Sequence, residues 1–289
     1  MTLKFITISK DSPSYPSRLL ELKNPPPKIH IAGSLIEEDA LSLAVVGSRK
    51  MIGYGKDVCE EIVSQVAQAG VTIVSGLVSG VDMAAHRAAL KAGGRSIGIL
   101  GFGADFAHKV PDKNVLCNMA DSSGAIITEF NDNEEGAPWT FPKRDRIIAA
   151  LASAVLVVEA AEKSGTMYTV SAARELKKEV MAIPGNIFSP VSKGTNQLIK
   201  GGARLVCGVS DILEVLDVSN KAKKIACRKN FPVSNEEKVV LEVLKNGDLY
   251  IDDVAVKTGI SISVISAHLT SLELKGMVKN VGGGVYRKV

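Results

Sequence analysis

From residue 41 to residue 206, short apolar runs alternate with segments of helical period, and few folds accept that pattern. The runs are LSLAVVG (41–47), VTIVSG (71–76), SIGILG (96–101), GAIITEF (124–130), AVLVVEA (154–160) and VMAIPG (180–185). Between them lie 55–70, 81–94, 114–120, 145–152 and 166–178, with TNQLIKGGARLV (195–206) closing the series. In the first helical segment Val58, Ile62, Val66 and Ala69 share one face. The runs lack apolar/polar alternation, so both faces of each strand are buried, and crossovers between parallel strands are right-handed. The pattern predicts an α/β fold, a Rossmann-like, doubly wound and mostly parallel sheet.

The rest of the chain divides around this block. Residues 1–40 read as an irregular N-terminal segment packing on the main domain, 41–216. Three prolines in NPPPKIHIAG (24–33) exclude a helix there, and KIHIAG suits an edge strand. Residues 217–233 read as a basic linker, because KAKKIACRKN (221–230) holds five bases and no acid. In 234–289, Ser234 and Glu237 form a capping box ahead of three short helices, and MVKNVGGGVYRKV resembles two strands around a glycine tip. That order predicts a small C-terminal winged helix-turn-helix domain.

Composition excludes several classes. Cys59, Cys117, Cys207 and Cys227 are scattered without a CxxC or Cys/His cluster, so neither a zinc site nor a disulfide framework is expected, and reduced thiols fit a cytoplasmic protein. The first residues lack the apolar core of a signal peptide, and no run of about 18 apolar residues predicts a membrane span. A net charge of +4 leaves a polyanionic partner open.

Ligands of an open parallel sheet bind outside the carboxyl ends of its strands. Four such ends carry small or polar residues: Gly47-Ser48-Arg49-Lys50, Ser75-Gly76 with Gly80, Gly101-Phe102-Gly103, and Ser164-Gly165-Thr166. Their amides suit phosphate oxygens, although tight strand-to-helix turns require small residues in any case. None matches a dinucleotide fingerprint or a Walker A loop, and no cofactor is implied. Asp82 and His86 stand four apart, as an acid/base pair or as a dipole partner and a buried histidine. Glu129, at the end of a strand, and Glu159 offer a catalytic pair, but no nucleophile or base stands with them in a recognisable constellation. The stretch TFPKRDRII (140–148) places Lys143, Arg144 and Arg146 before a helix, where a cation has the unfavourable sign for the dipole. Phe141 and Trp139 beside them offer stacking surfaces for unpaired bases, against the plainer reading that the aromatics fill the core and the bases are solvated.

These blocks, VVGSRKMIGYG (45–55), VSGLVSGVDMAAHRAAL (74–90), FPKRDRIIAALASAVLVVEAAEKSGTMYT (141–169) and IPGNIFSPVSKGTNQLIKGGARLV (183–206), resemble the DNA-processing A (DprA/Smf) family. The resemblance spans about 14–210 and implies an extended Rossmann fold. It implies a non-enzymatic, single-stranded-DNA-binding recombination mediator that loads a RecA-type recombinase during natural transformation, usually as a homodimer. It places Arg49 with Ser48 and Lys50, and the FPKRDR segment with Phe141, in a strand-binding pocket. Asp145 and Ala150 replace the family's usual asparagine and glycine, and GADFAHKVP lacks its tyrosine. The alternative is a phosphoribohydrolase-like nucleotide-processing enzyme, but the P-G-G-x-G-T-x-x-E motif of those enzymes is absent from EAAEKSGTMYT. The tail's third helix offers one base, Lys275, so at most a weak duplex contact through Lys279, Arg287 and Lys288, or a protein contact, is expected.

Overall fold

The computed structural model describes residues 3–218, 234–274 and 277–288 and divides the chain into two compact units, Met1–Lys221 and Ala222–Val289. The basic linker expected at 217–233 lies almost wholly outside the described residues.

In the first unit the strands are β1 (Ile6–Ser9), β2 (Lys28–Gly33), β3 (Ser42–Val46), β4 (Thr72–Gly76), β5 (Ser96–Ile99), β6 (Gly124–Thr128), β7 (Ala154–Val157), β8 (Glu179–Ala182) and β9 (Arg204–Leu205). They form one sheet in the order β1-β2-β6-β5-β4-β3-β7-β8-β9. All neighbours from β6 through β9 run parallel, whereas β1/β2 and β2/β6 are antiparallel. The segment expected to be irregular therefore extends the sheet by two strands, and KIHIAG lies one strand in from the edge. Four residues of β2 pair with β6, a partner distant in sequence that the N-terminal residues alone do not reveal, and the prolines end just before the strand.

The crossovers are α1 (Gly53–Val58), which runs on through a π turn, Cys59–Val63, into α2 (Ser64–Gln68), then α3 (Val81–Lys91), α4 (Lys113–Asn118), α5 (Thr140–Leu151), α6 (Thr166–Glu175), α7 (Lys193–Lys200) and α8 (Val209–Val215). Alternate residues of each central strand feed two cores. Leu43 and Val45 pack with Val63, Val66 and Ala85 on one face, while Ala44 and Val46 pack with Ile147, Ile148 and Val170 on the other. Chain order reverses across β3 and β7, so the crevice of the switch point opens at their carboxyl ends.

Helix α5 begins five residues earlier than its sequence period suggests. Thr140 Oγ1 accepts from the Ala137 amide at 3.1 Å and donates to the Ala137 carbonyl at 2.8 Å, which closes the entry turn. Pro142 sits within the first turn, where its missing N–H has no intrahelical acceptor to lose. The basic cluster is thus helical, and its residues point in different directions.

The second unit contains α9 (Asn235–Val243), β10 (Leu249–Tyr250), α10 (Ile251–Thr258), α11 (Ile262–Leu274), β11 (Val278–Gly282) and β12 (Val285–Lys288). Ser234 Oγ accepts from the Glu237 amide and Glu237 accepts from the Ser234 amide, the capping box read from the sequence. Val254, Ile265, Leu269 and Leu272 fill the core between the helices. The β11–β12 wing turns at Gly282, Gly283 and Gly284, all with positive φ, which explains three glycines in a row. Among the described residues no helix is long and apolar enough to cross a membrane.

Arg18 fastens the N-terminal segment to the sheet. Its guanidinium donates to the carbonyls of Leu151 (2.7 Å) and Ala40 (2.6 Å) and to the hydroxyls of Ser42 (3.0 Å) and Ser153 (3.2 Å). Arg18→Met removes all four bonds, although the Leu151 and Ala40 carbonyls still accept from the Ser42 and Ser153 hydroxyls, and is expected to destabilise the protein by roughly 1–2 kcal/mol, measured by denaturant unfolding.

Candidate nucleic-acid interface

The switch-point crevice is a cleft of about 780 Å³. One wall is the loop after β3, with Gly47, Ser48, Arg49 and Lys50; the opposite wall is the loop after β7 with the start of α6, including Lys163, Ser164, Gly165, Thr166 and Tyr168. Phe141, Arg144 and Asp145 of α5 line it as well, together with Asp82 at the start of α3.

The loop carrying Arg49 is held from below by Glu159. The Ser48 amide donates to the Glu159 carbonyl at 2.7 Å. The Glu159 carboxylate accepts from the amides of Ile52 (3.1 Å) and Gly55 (3.0 Å). A Cβ on Gly55 would stand 2.6 Å from the carboxylate carbon, so only glycine allows this approach. Burial pushes the Glu159 carboxyl above its usual range, and the two amide bonds oppose that shift. A third tie comes from Gly80, whose φ of +90° and missing Cβ let it lie against the Ser48 carbonyl.

Helical spacing sorts the basic cluster. Phe141, Arg144 and Asp145, at i, i+3 and i+4, face the cleft. Lys143 and Arg146 instead meet Glu129, at 3.5 Å and 2.5 Å, and Arg146 also donates to the Asn24 carbonyl at 2.9 Å. Neither lines the cleft, which corrects their expected place in the pocket. Burial raises the Glu129 carboxyl, with Arg146 and Lys143 opposing. Glu129 and Glu159 therefore serve separate partners and form no acid pair.

Arg144 is 3% exposed and is spent internally: Nε meets Asp145 at 3.0 Å and Nη1 donates to the Ile99 carbonyl. It contributes positive field beneath the cleft rather than a free contact. Asp145, the replacement for the usual asparagine, is the partner of this arginine. Burial raises its carboxyl, opposed by Arg144 and then Arg49.

Phe141 is not an open platform either. One side packs on Gly101, where a Cβ would lie 2.8 Å from the ring, and the Arg49 guanidinium sits 4.6 Å from the ring centroid. Trp139 is 57% exposed, edge-on to Phe130, and does not line the cleft.

The expected phosphate turn at Ser75-Gly76 with Gly80 has packing roles. Ser75 is fully buried and donates to the Val45 carbonyl at 2.6 Å, and Gly76 makes room for Arg144 and Asp82, a Cβ there falling 2.4 Å from each. Gly80 wedges two loops together, as above. Ser164 and Thr166 bond each other at 2.9 Å, yet both stay on the cleft wall with Gly165.

His86 is fully buried, with Nε2 at 2.9 Å from the Gly76 carbonyl and Nδ1 at 2.7 Å from Ser96 Oγ. The carbonyl can only accept, so Nε2 carries a proton. Burial depresses its pKa to about 4, which makes it a neutral core histidine rather than an acid/base partner. Asp82 is buried too, and desolvation lifts its carboxyl to about 7 against the field of Arg144.

In the second unit, Arg287 forms a two-point ion pair with Asp248 at 2.8 and 2.6 Å, and Lys279 of the wing is also exposed. On α11, Ile262 and Val264 are exposed and no lysine or arginine is present among its described residues.

Two substitutions test this geometry. Glu159→Gln turns an amide NH2 toward one of two N–H donors, which should cost roughly 1–3 kcal/mol and speed hydrogen exchange at Ile52 and Gly55. Asp82 binds its proton more tightly folded than unfolded, so its contribution is complete below about pH 3.8 and is lost as pH rises through about 7. Asp82→Asn should therefore exceed wild type in stability at pH 8, by roughly 1–3 kcal/mol, with the gap closing toward pH 4 in chemical denaturation.

Comparison with known proteins places this geometry. The solved structure of DNA processing protein A from Streptococcus pneumoniae superposes with a TM-score of 0.67 at 35% identity, covering 74% of this chain and 75% of that one. A Helicobacter pylori structure, described for the unique single-stranded DNA binding mode of DNA processing protein A, gives 0.64 at 26% identity, covering 77% and 97%. Protein Smf of Escherichia coli is 37% identical over 97% of this chain and 76% of its own length. The Bacillus subtilis DNA processing protein DprA is 35% identical over 74% of this chain and 72% of its own. The DprA winged helix domain matches residues 226–284 and DNA recombination-mediator protein A matches 5–217, so the chain belongs to the DNA recombination-mediator protein A family.

Proposed function

We propose that the protein binds single-stranded DNA in the switch-point cleft. The observation that carries this reading is the convergence of Arg49, Lys50 and Lys163, all exposed, on one cleft floored by buried Arg144. Family membership and the Helicobacter pylori relative's description support it. Exposed lysines and arginines meet phosphates without reading sequence, as a mediator acting on any incoming strand requires. In the fuller form of this reading the bound strand passes to a RecA-type recombinase during natural transformation, in the cytoplasm, with the protein acting as a homodimer and without a chemical step. The winged-helix unit serves as a weak duplex or protein contact.

The phosphoribohydrolase alternative loses ground at Glu159. The amides of Ile52 and Gly55, at the start of the helix after β3, already hold a carboxylate and are not free for a phosphate. Purified protein is expected to release no free base from a nucleoside monophosphate.

Binding of an unstructured oligonucleotide should weaken with salt, and Arg49→Ala should raise Kd about ten-fold while lowering the slope of log K against log salt by about 0.7. Equal affinity of the two proteins would remove Arg49 from the interface. Addition of the wild-type protein should also shorten the lag of recombinase assembly on single strands, and Arg49→Ala should not.

A further inference from the structure

The family's aromatic in this cleft, Phe141, is half-buried, packs against Gly101 and carries the Arg49 guanidinium 4.6 Å from its ring centroid, so much of its surface is already taken. Exposed aromatics in the first unit, among the described residues, are Tyr54, Trp139, Tyr168 and Phe188. Of these four only Tyr168 lines the cleft, with 56% of its surface open. It stands at the third position of α6, directly after the Ser164-Gly165-Thr166 turn and beside Lys163. No group among the described residues hydrogen-bonds its hydroxyl. Tyr54, by contrast, is tied through its hydroxyl to the Pro184 carbonyl at 2.9 Å.

We propose that Tyr168 is the base-stacking platform of the cleft, with the strand's phosphates held between Arg49 and Lys50 on one wall and Lys163 on the other. This assignment rests on the single-strand reading. Three observations carry it. The ring is the exposed aromatic surface of the cleft, it is flanked by cations on both walls, and it rises from a rigid helix rather than a loop. An aromatic so placed takes any unpaired base, because every base has a π-face, and rejects paired bases, whose faces are buried in the duplex stack. The chemical class of ligand is therefore an unpaired polynucleotide with little sequence preference.

The test uses the full chain and two fluorescent oligonucleotides of equal length, one of thymidine and one with abasic sites throughout. Wild type should bind the thymidine strand roughly ten-fold more tightly than the abasic one. Tyr168→Ala should bind the thymidine strand about ten-fold more weakly than wild type and should distinguish the two strands little. Tyr168→Phe should behave as wild type, since the ring and not the hydroxyl does the stacking. If Tyr168→Ala keeps wild-type affinity, or discriminates the strands as wild type does, the assignment is overturned while the single-strand reading stands on Arg49. If wild type binds neither strand, both fall together.

Discussion

One buried carboxylate sets the shape of the cleft. Glu159, at the end of β7, reaches across to the loop after β3 and satisfies two backbone amides, while its own carbonyl takes a third. These bonds join the two loops that flank the switch point and fix where Arg49 and Lys50 emerge. They also fill, from within, the place where Rossmann-like proteins commonly seat a ligand's phosphate. The anion requirement of those amides is met by the protein itself. What remains for an outside anion is the side-chain surface above, wider and less shaped to one phosphate group.

A second layer of charge lies under that surface. Arg144 is buried between Asp145 and the Ile99 carbonyl, with Asp82 nearby against Gly76. Two acids and one arginine at that depth are costly unless they compensate one another, and burial dominates the raised carboxyls of both Asp82 and Asp145. Asp145 makes sense in this setting as the local counter-charge of an arginine that cannot reach water, and not as an intruder on a phosphate surface.

The doubly wound sheet was legible because each element announces its period: glycine-ended apolar runs for buried parallel strands, helical spacing between them. The N-terminal strands were not, since β2 gains its order from pairing with β6, far away in sequence, and β1 from pairing with β2. The winged-helix unit was readable through its capping box and glycine tip. At the site, residue types pointed to separate loops, and Arg49, Ser164 and Thr166 meet in one cleft. The basic cluster misled because four adjacent letters look like one patch. Once α5 starts at Thr140, a rotation of 100° per residue sends Lys143 and Arg146 to Glu129 and Arg144 into the interior. Glu159 had a signal in the sequence, a lone acid closing an apolar strand, which must find donors when buried. Tyr168 had a fainter one, an aromatic one turn into a helix that begins at a small-residue loop.

The contact between Arg49 and Phe141 has a consequence for water. A guanidinium lying on an aromatic ring is stripped of solvent on that side before any ligand arrives. The hydration lost when it meets a phosphate is correspondingly smaller than for Lys50 on the same loop, whose ammonium stands in solvent. The two neighbouring cations thus differ in character: one lies on a ring that orients it, the other is exposed to solvent. On the single-strand reading proposed above, the second would draw in a phosphate and the first would retain it.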